Sequence, residues 1–219
     1  MSRILAAVAA AVLCGTFWGC QFIPGRGWGG APLPAEVPNN MFSGDLGDAK
    51  EGRWMRYASD ASGPRSSTTV KVDGKDGGNW WIERWMDAGG SSTGYLFVVG
   101  GDKKISKAWA AHQEDKEWKE IKVTEPAKGA AGDPPKSTLK ESDEKKEAKA
   151  GSFQSHKLDV TTNIGGKDYN SLSWYSKDVW KLQSGSEHGG LVAMESTGMK
   201  MGLDAKGEDG KPSIELPKK

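Results

Sequence analysis

The feature that most constrains this chain is its punctuation. From Arg53 onward, short apolar stretches are broken by Gly-rich turns at intervals of roughly ten residues. The stretches 53–58 (RWMRYA), 68–72, 80–86 (WWIERWM) and 95–99 (YLFVV) alternate with 73–78 (DGKDGG), 87–90 (DAGG) and 100–102 (GGD). Pieces this short are strand-length, and glycines that accept positive φ let the chain reverse tightly between them. The second half keeps the same grammar over 152–162, 169–177, 191–196 and 199–204. In the last of these Met199, Met201 and Leu203 alternate with Lys200, Gly202 and Asp204, the period-two pattern of a strand with one face inward. The pattern predicts a mainly β fold, a curved antiparallel sheet or open half-barrel of about 9–11 strands.

Two segments read differently. Residues 105–123 offer either a helical stripe (Ile105, Ala108, Trp109, His112) or a hairpin turning at Gln113–Lys116, and the surrounding meander favours the hairpin. Residues 126–151 begin rich in Gly, Ala and Pro and continue as a mixed-sign charged run whose one large apolar residue is Leu139. That composition predicts a charged flexible linker inserted within one β domain spanning 44–219.

The N-terminus speaks about location. Arg3 precedes an uncharged Ala/Val-rich run over 4–13, followed by small residues, which is the layout of a secretory signal peptide over 1–19. The run is too short for an ordinary membrane span, although an uncleaved anchor is the other reading. Cys14 and Cys20 are the two cysteines of the chain, so the body holds neither a disulfide nor a cysteine-ligated metal. Phe17-Trp18-Gly19-Cys20 resembles the lipobox of bacterial lipoproteins, with a large residue where a small one is usual at Trp18. The resemblance implies acylation of Cys20, and Gln21 after it implies the outer membrane facing the periplasm. The alternative is a plain secreted or periplasmic protein. Residues 20–43, with Pro24, Pro32, Pro34 and Pro38 among glycines, then read as a lipid-attached tether.

Charge excludes two classes of partner. With 30 basic and 29 acidic residues the net charge is +1, without the basic excess that nucleic acid or an anionic membrane surface demands.

Catalytic motifs fail on inspection. Gly90-Ser91-Ser92-Thr93-Gly94 spells a nucleophile elbow, but a strand follows it where a helix is required. The loop from Asp73 puts Lys75 and Gly77 where calcium needs oxygen ligands. His112, His156 and His188 are far apart in sequence and read as surface or turn residues. No catalytic residue, metal or cofactor is expected. The tryptophans are more informative: on WWIERWM, Trp81 and Trp85 share a face with Glu83, while Trp80, Ile82 and Met86 share the other with Arg84. Both faces are apolar. One can pack a core; the other needs a further layer, a ligand or a partner.

Two stretches resemble a loose group of uncharacterised exported bacterial lipoproteins. One is Gly52-Arg53-Trp54-Met55-Arg56-Tyr57, like a G-x-W-x-x-Y first strand. The other runs from Gly151-Ser152-Phe153 through Trp174-Tyr175-Ser176-Lys177-Asp178-Val179 to His188-Gly189-Gly190-Leu191-Val192. Many members carry Cys where this chain has Ser155. The resemblance implies a fold similar to the half-barrel of the lipoprotein carriers and receptors of the Lol pathway, and brings no catalytic residues. The resulting expectation is a non-enzymatic envelope lipoprotein that binds a lipid or acyl chain on a concave sheet face. Trp81, Trp85, Trp174, Met199 and Met201 are its lining candidates. The alternative is a structural or protein-interaction lipoprotein with no small ligand.

Overall fold

The structure is a computed structural model, and it describes residues 32–59, 66–126 and 136–217. Six strands form a first meander: β2 (Trp54–Ser59), β3 (Ser66–Asp76), β4 (Asn79–Ala88), β5 (Ser91–Val99), β6 (Ile105–His112) and β7 (Lys119–Thr124). A short β1 (Glu36–Pro38) lies parallel to β7 and ends this side of the sheet. The second half contributes β8 (Lys136–Ala148), β9 (Gly151–Ile164), β10 (Lys167–Ser176), β12 (Gly189–Ser196) and β13 (Met199–Gly207), with the two-residue β11 (Gly185–Ser186) beside β12. The halves join where β13 pairs antiparallel with β2, from Met201 opposite Ser59 to Gly207 opposite Trp54. One open, curved, 13-stranded sheet results, running from β1 to β8. Because the last long strand zips onto the first, the large core draws on both halves.

The period-two pattern does its work on both faces. Ile82, Phe97, Val99, Ala108 and Ala110 enter a large core with Met55, Tyr57, Val70 and Leu203. Their neighbours Trp81, Leu96, Val98, Trp109 and Ala111 enter a smaller core on the opposite face. Residues 105–123 form the hairpin, not the helix.

Two readings of the sequence are corrected. The charged run is not a flexible linker: Lys136–Ala148 is a strand paired along its whole length with β9, from Lys136 opposite Asn163 to Ala148 opposite Gly151. A sheet-edge strand needs no apolar face of its own, since its neighbour supplies the hydrogen bonds, and its Lys/Glu content guards the open edge against further pairing. The tip of this hairpin curls back on the sheet. Ala150 N–H donates to Leu203 O at 3.1 Å, and Lys146 and Lys149 reach Glu195 at 3.0 Å and Asp204 at 2.6 Å. Likewise the tether does not extend to residue 43: Val37 is buried in β1, and Met41 and Phe42 pack on the large core. β7 offers an open edge there and Val37 an apolar side chain to bury. Residues 1–31, with the signal peptide, Cys20 and the rest of the tether, lie outside the described residues.

Candidate functional site

β4 places Trp81, Glu83 and Trp85 on one face, as the sequence implied. Trp109 stands 5.3 Å from Trp81 between ring centroids, and Trp118 stands 5.8 Å from Trp85. Leu96, Val98 and Ala111 floor this four-indole surface. Gly94, opposite Trp85 in the register, makes room for it: a Cβ there would come within 2.7 Å of the indole. Trp118 Nε1–H is buried and finds no acceptor among the described residues. An unpaired buried donor is unfavourable by about 1–3 kcal/mol, so this surface has an unmet demand for an acceptor.

Among the described residues, no sheet or helix layer covers the indoles. Their cover is the segment that follows β13, whose Ile214 and Leu216 pack on them. This strap is fixed at its start, where Gly210 N–H donates to Gly52 O at 2.9 Å and Trp54 Nε1 donates to Asp209 at 2.9 Å. Its main fastening is Glu83, only 1% exposed. Glu83 accepts from Ser213 N–H at 3.0 Å, from Ser213 Oγ at 2.5 Å and from Trp85 Nε1 at 2.6 Å, and pairs with Lys71 Nζ at 2.8 Å. Lys71 in turn donates to Ser213 Oγ and to the carbonyl of Lys211. One carboxylate thus ties the strap to the sheet and to an indole.

Asp73 completes the cluster, 3.6 Å from Lys71 Nζ, and neither of its carboxylate oxygens accepts a hydrogen bond. Burial, then the neighbouring Glu83 charge, push the Asp73 carboxyl up to about 8. Burial would raise Glu83 as well, but the neighbouring Asp73 carboxyl, the Lys71 ammonium and the Ser213 hydroxyl outweigh it and hold Glu83 below its ordinary value. The pair therefore shares one proton at neutral pH, with Asp73 neutral and Glu83 ionised against Lys71. A carboxyl raised in the folded state adds stability that is complete below its unfolded value near 3.8 and is lost as pH rises through about 8. The melting temperature should accordingly fall from about pH 4 to about pH 8 and level off above that. Asp73→Asn, neutral throughout, should flatten that fall; an unchanged pH profile in the variant would place the shared proton elsewhere.

The five residues expected to line a ligand site do not converge. Trp81 and Trp85 lie under the strap, whereas Trp174 and Met201 belong with the large core and Met199 is half-buried beside the β12–β13 turn. Trp174 is 3% exposed, donates to Glu144 Oε1 at 2.5 Å, and has Lys146 Nζ 3.5 Å from its ring centre. It is a packed and bonded residue. A polar concavity of about 370 Å³ between Asp45, Lys103, Lys181 and Glu187, and a slot of about 10 Å³ beside Phe42 and Phe97, include none of the five. Ser92 starts a strand and donates to Asp87, which Ser67 also reaches at 2.7 Å, so its hydroxyl is a turn fastener. Sequence reasoning missed Lys71, Asp73 and Ile214. The Gly-rich stretch from Asp73 reads as a turn, but β3 continues through a bulge at Val72/Gly74 to Asp76 and carries Asp73 into the buried cluster.

No family model matches the chain, and no curated protein matches it. Among solved structures it resembles a Bacteroides fragilis protein described as exported and of YmcC-like fold. The identity is 7%, with 76% of this chain and 98% of that chain covered and a TM-score of 0.31. That likeness is too distant to carry an argument about fold or function.

Proposed function

We propose that this chain is an exported, non-enzymatic binding protein, anchored to the membrane through acylated Cys20, that holds an apolar or amphipathic chain against its tryptophan face. The observation that carries this reading is the cover of that face: among the described residues, one short segment rather than a second structural layer lies on the four-indole surface. The unpaired Trp118 N–H adds a donor suited to a carboxylate or phosphate headgroup, while the indoles suit the acyl part. The strap is the element a ligand would displace, since its Ile214 and Leu216 occupy the tryptophan face. The lipobox-like Phe17–Cys20 followed by Gln21 supports placement at the outer membrane facing the periplasm.

Acyl chains brominated near their middle quench indole emission on contact. Titrating the protein with a brominated fatty acid should quench its emission saturably, and Trp81→Phe/Trp85→Phe should remove most of the saturable part. Absence of saturable quenching would sink the ligand reading and leave the envelope-interaction reading ahead.

A further inference from the structure

Two histidines that are 32 positions apart in the chain, His156 and His188, stack with ring centroids 3.6 Å apart and planes 21° apart. His156 projects from β9. Its register partner on β8 is Asp143, and Glu141 sits two residues along on the same face of β8. His188 belongs to the turn between β11 and β12, beside Glu187. His156 Nδ1 lies 2.8 Å from Asp143 Oδ1, and its Nε2 lies 3.3 Å from Glu141 Oε2. His188 Nε2 stands 3.6 Å from Glu187 Oε1.

With Asp143 taking the Nδ1–H of His156, the ring's Nε2 lone pair and the Glu141 carboxylate converge on one point, and the spacing suits a divalent cation. Nitrogen and oxygen ligands at about 2.0–2.1 Å from a tetrahedral zinc stand about 3.4 Å apart, close to the 3.3 Å between His156 Nε2 and Glu141 Oε2. Ligand atoms of Glu141, His156 and His188 all lie within 4.8 Å of one another.

We propose that Glu141, His156 and His188 form a binding site for a borderline divalent metal of the zinc class. Two imidazoles and a carboxylate select such ions over calcium or magnesium, which require oxygen ligands. Asp143 orients His156 by taking its Nδ1–H, the outer-shell carboxylate common at metal-bound histidines. Glu187 or water takes the fourth position. In the stacked pose the ion cannot lie in both ring planes, so binding turns His188 out of the stack. Its side chain is 30% exposed and sits on a turn, which leaves it room to move. The metal then staples the β8–β9 hairpin to the turn before β12, across strands that are not neighbours in the sheet. This site is independent of the tryptophan face.

Isothermal titration of zinc chloride into the full chain carrying Cys14→Ser and Cys20→Ser tests this without thiol contributions. One ion per chain, bound at micromolar or tighter affinity, is the expected result. His156→Gln and His188→Ala should each weaken binding at least tenfold, and Asp143→Asn about tenfold as an orienting residue. His112→Ala, away from the cluster, should leave it unchanged. Zinc should also raise the melting temperature of the parent chain by linkage and leave that of His188→Ala unmoved. Absence of one-to-one binding, or binding that His188→Ala leaves intact in a folded protein, would overturn the proposal.

Discussion

Replacing Lys71 by methionine should destabilise the fold by about 3–5 kcal/mol, the range for removing one partner of a buried ion pair. Lys71 is the cation that balances Glu83, and its side chain is only 9% exposed. Methionine fills much of the same stem volume, so the loss measures charge more than packing. Without the ammonium, Glu83 must either stay ionised beside Asp73 or take up a proton, and both cost energy in a buried site. Two controls follow from the same physics. The variant should regain stability on acidification, as Glu83 protonates. Combining Lys71→Met with Glu83→Gln should restore a large part of the loss, because no buried charge is then left alone. Chemical denaturation of the single and double variants across pH 5 to 8 measures all three effects. A loss under 1 kcal/mol for Lys71→Met would show that the cluster is open to water.

Ending the chain after Gly210 is the second large perturbation. It removes the Lys211 carbonyl, both Ser213 bonds to Glu83, and the apolar contacts of Ile214 and Leu216. Burial of an Ile side chain contributes about 1.5–3 kcal/mol, and hydrogen bonds to an ionised group about as much. Ile214 and one such bond already give about 3–6 kcal/mol, and the further contacts are partly offset as Glu83 and Lys71 gain water when the strap leaves. The sheet itself loses no strand, since β13 ends at Gly207. The truncated protein should therefore keep its β circular dichroism while its indole emission moves to longer wavelength and it begins to bind hydrophobic dyes. It should also take up brominated acyl chains more tightly than the intact chain, because a ligand no longer competes with Ile214. Emission identical to that of the full chain would mean that the strap does not shield the indoles.

Much of this architecture was legible in the residues. Turn glycines and period-two apolar runs located ten of the strands, and the shared face of Trp81, Glu83 and Trp85 followed directly from alternation. The resembling motifs also have a packing explanation. Gly189, at φ +118°, lies so close to the Ser176 carbonyl that a Cβ would come within 2.0 Å, which is why a glycine is needed where His188-Gly189-Gly190 turns into β12. What could not be read depended on distant partners. β8 has no apolar pattern because its pairing with β9 and its charged contacts hold it, and β1 is a strand because β7 presents an edge. The buried role of Asp73 required knowing that a bulge prolongs β3, and the strap was invisible because Ile214 and Leu216 stand among charged residues and prolines. His156 and His188 meet only through the pairing of β8 with β9 and the turn before β12. Local sequence carries periodicity; it does not carry the crossing of separate segments.

The most direct test of the binding account is native mass spectrometry of the Cys20→Ser protein, purified from bacteria without detergent, beside its Trp81→Ala/Trp85→Ala variant. The account predicts a discrete added mass in the fatty-acid or phospholipid range, lost on denaturation and absent from the variant. A clean mass for the intact chain, unchanged after incubation with a total membrane-lipid extract, would contradict it and turn the search toward a protein partner.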